Sequence, residues 1–246
     1  MLTEKPSTNR ALRGIYLLPN LFTMAALFAG FFAIIAATQH HFESAAIAIF
    51  IAMIWDALDG RVARLTHTQS KFGAEFDSLS DMLCFGLSPA LVLYYWSLSS
   101  LGKAGWLAAF LYTACTALRL ARFGSLEQNE DKRYFQGLST TAAAGFIAGF
   151  IWFSVTQGFV GSDHTMRLIT VAITVLVALL KVSTIRYRSF KDIDVRKNVP
   201  FVVILILVPL FVLVSFDPAD VLFFVFALYT ISGPVMVLFQ RGKKKR

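Results

Sequence analysis

Long apolar runs separated by short basic loops leave this chain very few folds. Stretches with little or no charge lie at about 15–38, 44–55, 82–102, 104–118, 138–162, 168–180, 199–216 and 221–240. A helix rising 1.5 Å per residue needs about 20 apolar residues to cross the hydrocarbon of a bilayer. Each run therefore predicts a transmembrane helix. The second reaches the required length, over about 44–63, only by taking Asp56 and Asp59 into its far end. The expectation is an all-α integral membrane protein, a bundle of about eight transmembrane helices. The first run is too long for the apolar region of a signal peptide and lacks a small-x-small cleavage site. Hydrophobic residues make up 57% of the chain and charged residues 15%, against about 45–50% and about 25% in soluble domains. The 24 Phe rule out disorder as the reason for that skew. Cys84 and Cys115 each stand inside an apolar run and read as reduced packing thiols.

The positive charges decide orientation. With the N-terminus inside, all but Lys103 and Arg167 of the 23 Lys and Arg fall in the inner segments and tails. The positive-inside rule then puts both termini in the cytoplasm, as in a bacterial inner-membrane protein. It also turns the formal charge of +8 away from nucleic acid. The tail 241–246 reads as a polybasic anchor on anionic lipid. Residues 1–14, with Leu2 and Leu12 among basic residues, suit a short interfacial segment. The outer loops, such as Gln39 to Glu43 and Phe216 to Asp220, are short, so the chemistry belongs on the cytoplasmic side.

Four acids do not fit that background. Asp56 and Asp59 end one apolar helix, and Asp77 and Asp81 begin the next. At roughly 2.5–3.5 kcal/mol for each carboxylate in the bilayer, four would cost about 10–14 kcal/mol without compensation. Arg61, Arg64 and Lys71 can neutralise part of that charge. Spacing points further: residues three or four apart share a helix face, so Asp56 pairs with Asp59 and Asp77 with Asp81. The segment 60–76 is long enough to turn back, which lets all four carboxylates converge. Oxygen-only ligands suit one or two hard divalent cations such as Mg²⁺, Mn²⁺ or Ca²⁺, and no His or Cys stands at a zinc spacing. Gly60 and Gly73 leave room for a ligand beside the acids, and Arg64 can grip a phosphate. Paired metals, an arginine and open backbone describe a pyrophosphate site. A cation transporter is the other class that explains intramembrane acids. Its coupling site would lie near the midplane with polar groups along the path, whereas these acids cluster at one edge.

The residues Asp56, Asp59, Gly60, Ala63, Arg64, Gly73, Asp77 and Asp81 complete the pattern D-x-x-D-G-x-x-A-R-(x)8-G-x-x-x-D-x-x-x-D. In this the chain resembles the CDP-alcohol phosphatidyltransferase family. The resemblance implies a six-helix core over residues 15–185, with two additional helices over 199–240. It further implies a two-metal site for Mg²⁺ or Mn²⁺ on Asp56, Asp59 and Asp77, with Asp81 as both ligand and general base. Gly60, Ala63, Arg64, Ser70 and Gly73 would bind the CDP-lipid, as would Asn20 and Thr23 on the first helix, where Pro19-Asn20 can also be a plain helix cap. Homodimers are common in the family.

Two further patches resemble bacterial members that use L-serine as acceptor for the phosphatidyl group of CDP-diacylglycerol. These are Leu118 to Phe123 and Tyr134 to Ala144, although Ser139 and Thr141 stand where that subfamily commonly has proline. Arg119 or Arg122 would supply a cation for the serine carboxylate. Transfer to sn-glycerol 3-phosphate, as in a phosphatidylglycerophosphate synthase, is the alternative acceptor chemistry. The Phe-rich last two helices read as packing or lipid-facing, with no part in the site.

Overall fold

The computed structural model describes residues 9–125, 134–188, 209 and 212–243. Helix α1 (Asn9–Thr38) and helix α2 (Phe42–Leu65) form an antiparallel pair joined by a turn at Gln39–His41. Small residues line their contact, among them Ala26, Ala33, Ala37, Ala45 and Ala52, all buried. That lets two helices approach closely where lipid gives no hydrophobic drive between them. Helix α3 (Lys71–Asp81) runs through a π-helical segment, Met82–Leu87, into α4 (Ser88–Trp96). Together they make one span, Lys71–Trp96. The apolar run starts near residue 82, but the helix begins at Lys71, so Asp77 and Asp81 lie in its first turns, where the spacing of the acids puts them.

The π-segment has a packing reason. Ser88 Oγ donates to Gly30 O on α1 (2.7 Å) and lies 2.9 Å from Leu83 O, and Cys84 Sγ donates to Ala26 O (3.2 Å). A Cβ on Gly30 would lie 2.6 Å from Cys84 Sγ, so the glycine is what admits the widened turn. Cys84 and Cys115 are both buried free thiols, as their surroundings in sequence suggest. Widened turns of this kind gather at functional sites, and this one directly follows Asp81.

After a 3₁₀ turn at Leu98–Leu101, α5 (Lys103–Ser125) returns across the bundle. Helix α6 (Thr140–Thr156) starts at an N-cap where Ser139 Oγ accepts from Ala142 N (3.1 Å), a role for the serine found in place of a proline. Helix α7 (His164–Val182) packs on α5, and α8 (Pro218–Lys243) packs on α6. Gly145 and Gly149 form the groove for α8: a Cβ on either would lie 2.7 Å from the Phe226 ring or 2.9 Å from the Phe223 backbone. Among the described residues, five helices are long and apolar enough to span a membrane, and α6 is a shorter apolar helix. With α2, these account for the expected spans except that over 199–216, most of which lies outside the described residues, as do 1–8 and 244–246 of the terminal segments.

One element was not legible in the sequence. Strands β1 (Tyr134–Gln136) and β2 (Arg186–Arg188) pair antiparallel, with Phe135 opposite Tyr187. Tyr187 is buried, donates its hydroxyl to Thr230 O (3.0 Å), and packs where Gly233 leaves out a side chain. Burial pushes its phenol up to about 12, which keeps the donor proton in place.

Candidate active site

Helix geometry brings the acids together. Asp56 and Asp59 sit one turn apart on α2, and the short link 66–70 returns the chain into α3. Carboxylate oxygens of Asp56, Asp59 and Asp77 all lie within 4.8 Å of one another. Asp81 sits one turn beyond Asp77, within hydrogen-bonding reach of Asp56 and within electrostatic range of Asp59 and Asp77. Its Oδ1 is buried with no hydrogen-bond partner among the described residues.

Thr23 fixes one of these oxygens. It is buried on α1, donates to Asp59 Oδ2 (2.8 Å), and lies 3.2 Å from Pro19 O, a carbonyl on the preceding turn. Arg61 and Lys71 are exposed, and Arg64 Nε donates to Gly60 O (2.8 Å). Four clustered carboxylates with a buried, unmatched oxygen are electrostatically unfavourable alone and suit a hard divalent cation.

A cavity of about 370 Å³ opens beside the acids, between α1, α2 and α3. Its walls bring together Asn20, Thr23, Asp59, Gly60, Ala63, Arg64, Ser70, Gly73 and Asp77, so every CDP-lipid residue expected from the sequence borders one cleft. Local structure explains several of these positions. Ser70 is the N-cap of α3 and accepts from Gly73 N (3.0 Å). A Cβ on Gly73 would press to 3.1 Å from Ser70 Oγ and 3.5 Å from Asn20 Oδ1. At Gly60 a Cβ would meet only Arg64, at 3.9 Å, so this glycine keeps the cleft open rather than fitting a neighbour.

The two arginines of α5 separate. Arg119 is buried, with Asp81 and Tyr229 of α8 in electrostatic range. Arg122 is exposed and donates to Gln136 Oε1 of β1 (2.5 Å). Sequence reasoning missed Lys181. It stands at the end of an apolar run, where a lysine ordinarily flanks a membrane helix, yet it is buried inside the bundle. The signal lay on the partner helix, in the Tyr112, Thr116 and Arg119 spacing that puts three polar groups on one face.

A helical membrane bundle whose α2 and α3 bring clustered carboxylates to a cleft of about 370 Å³ has the make-up of a membrane enzyme. The sequence matches the CDP-alcohol phosphatidyltransferase family over residues 16–180, and the chain belongs to that family. It is 36% identical over 225 residues to the CDP-diacylglycerol–serine O-phosphatidyltransferase of Helicobacter pylori, covering 92% of each chain. The Mycobacterium tuberculosis protein of the same name is 40% identical over 149 residues, 58% of this chain and 52% of its own. That of Methanocaldococcus jannaschii is 38% identical over 144 residues, 58% of this chain and 63% of its own. The chain is a multi-pass membrane transferase of phospholipid synthesis.

Proposed function

We propose that the protein transfers the phosphatidyl group of CDP-diacylglycerol to the hydroxyl of L-serine, giving phosphatidylserine and CMP. The observation that carries this is the convergence of Asp56, Asp59 and Asp77 on the cleft bordered by Asn20, Arg64 and Gly73. The serine acceptor is supported by the names of the relatives and by a buried Arg119 within electrostatic range of Asp81.

In this reading the CDP group lies in the cleft, with Gly60 and Gly73 giving its phosphates room and Arg64 at its edge. The serine oxygen bonds to the lipid-side phosphorus, and the bond from that phosphorus to the bridging oxygen breaks. The bridging oxygen leaves with CMP. Asp81 takes the proton of the serine hydroxyl, a task suited to a carboxylate one turn from the other acids. Asp56, Asp59 and Asp77, with Asp81, would hold divalent cations, Mg²⁺ or Mn²⁺, which supply charge stabilisation at the phosphorus oxygens and the leaving group. Arg119 pairs with the serine carboxylate, while Arg122 braces β1.

The active site and both termini face the cytoplasm of the bacterial inner membrane, an assignment supported by the distribution of Lys and Arg. Residues 15–185 form the catalytic core, 199–240 add two helices, and the working unit is a homodimer, as the family resemblance implies. The deciding experiment incubates purified protein with CDP-diacylglycerol and single alcohols and measures CMP. L-Serine should release CMP and sn-glycerol 3-phosphate should not. The reverse result replaces the acceptor and leaves the transfer chemistry standing. Arg119→Ala should raise the KM for serine by roughly 10- to 150-fold, the equivalent of a lost charged hydrogen bond.

A further inference from the structure

Ser80, Cys84 and Ser88 stand four residues apart on the span Lys71–Trp96, and all three are buried. Ser88 Oγ donates to Gly30 O (2.7 Å), Cys84 Sγ donates to Ala26 O (3.2 Å), and Ser80 Oγ lies 3.4 Å from Thr23 O. The three carbonyls belong to one face of α1. In a regular α-helix, eight residues overshoot two full turns by about 80°. The wider turn at Met82–Leu87 takes up that excess, so all three side chains reach the same helix. Alanine would fill these places without a bond. A donor also fixes register, because one that slips from its carbonyl is left unpaired in apolar surroundings.

The row ends at the acids. Ser80 lies between Asp77 and Asp81 in the chain, and the carbonyl it approaches belongs to Thr23, whose hydroxyl donates to Asp59 Oδ2 (2.8 Å). Helix α1 packs on both α2 and α3. It thus holds an acid of α2 through a side chain and carries the acids of α3 through the row. Oxygens of Asp56 and Asp59 from α2 and of Asp77 from α3 lie within 4.8 Å of one another. Slipping α3 along α1 by one residue would move Asp77 by about 1.5 Å. Gly30 sets the separation as the donors set the slip: a Cβ there would lie 2.6 Å from Cys84 Sγ and 3.0 Å from Cys84 Cα.

We infer that Ser80, Cys84 and Ser88, with Gly30 opposite them, are positioning residues for the acid cluster: they fix how far the α3 carboxylates stand from those of α2, and so set the balance between Mg²⁺ and Ca²⁺ binding. The inference rests on the metal reading above. Mg²⁺ demands near-ideal octahedral geometry with oxygens at about 2.0–2.1 Å, whereas Ca²⁺ accepts about 2.3–2.6 Å in looser arrangements. Loosening α3 on α1 therefore costs Mg²⁺ more than Ca²⁺.

The test is isothermal titration of the full-length protein in detergent with Mg²⁺ or Ca²⁺ alone, and again with CMP present, so that no turnover is involved. Ser88→Ala removes the shortest bond of the row. It should weaken Mg²⁺ binding by about tenfold, the lower end for groups that orient metal ligands. Ca²⁺ should lose less than about threefold, given its longer and looser coordination. Gly30→Ala adds an atom instead of removing a bond and should shift the ratio the same way. Gly145→Ala, which crowds the Phe226 ring between α6 and α8, should lower the midpoint of thermal unfolding and leave the ratio unchanged. Equal losses of both ions in Ser88→Ala and Gly30→Ala, an unchanged ratio in either, or the same shift in Gly145→Ala overturn the inference. If Ser88→Ala does not fold, Gly30→Ala and Ser80→Ala carry the same test with the same outcomes. Wild-type binding is read first. If neither ion binds, with or without CMP, the metal reading and this inference fail together, whereas a wild type that binds both, with variants of unchanged ratio, sinks this inference alone.

Discussion

Replacing Thr23 by valine tests the metal centre through a residue that is not itself a carboxylate. Thr23 Oγ1 donates to Asp59 Oδ2 at 2.8 Å across 36 positions of sequence, and both side chains are buried. Valine has nearly the same shape, so no cavity opens and the bond is what is lost. Asp59 would keep one oxygen buried without its donor, which costs about 1.5–3 kcal/mol for a charged hydrogen bond. Converted at about 1.4 kcal/mol per decade, that is roughly a 10- to 150-fold change. It falls in the range of about 10–100-fold typical of groups that orient metal ligands. The Mg²⁺ concentration for half-maximal CMP release should rise by about that factor. The rate at saturating Mg²⁺ should stay within about threefold, because every ligating oxygen remains. Thr23→Ser keeps the donor and should behave like wild type. An unchanged Mg²⁺ requirement in Thr23→Val refutes the claim that this bond positions a metal ligand. Loss of CDP-diacylglycerol affinity at unchanged Mg²⁺ dependence makes Thr23 a substrate contact instead.

Chelation with EDTA should abolish turnover, with Mg²⁺ or Mn²⁺ restoring it, and Asp56→Ala, Asp59→Ala or Asp77→Ala should each prevent the restoration; activity surviving exhaustive chelation excludes the metal centre. Asp81→Asn should lower kcat by about 10²–10⁴, the usual worth of a general base, while CDP-lipid binding stays within roughly tenfold by equilibrium titration. If binding vanishes along with turnover, Asp81 is a ligand and the base lies elsewhere. Gly137→Ala puts a Cβ against Lys181 O at a positive φ. It should cost at least about 1–3 kcal/mol of backbone strain, read as a lower midpoint of thermal unfolding in detergent, and an unshifted midpoint refutes that close approach.

The membrane bundle and the cluster of acids were both legible in the chain because each is a local pattern. Apolar length against the thickness of hydrocarbon fixes spanning helices, and a three- or four-residue spacing fixes which acids share a face. Arg64 and Gly73 could be named from their places in the acid motif, and Asn20 and Ser70 from the family resemblance of the segments beside it; all four border one cleft. Lys181, Tyr112, Thr116 and Tyr229 had no such spacing to reveal them. They come from α5, α7 and α8 and meet only when those helices pack, and a lysine at a helix end looks the same in sequence whether it flanks lipid or is drawn inside. The same holds for Arg119 against Arg122: two arginines one turn apart are equivalent on paper. Packing alone buried Arg119 within electrostatic range of Asp81 and left Arg122 exposed on Gln136. The early start of α3 was hidden for the opposite reason. Its polar first turns give no hydrophobic signal, and they are helical because Ser70 caps them and α1 packs beside them.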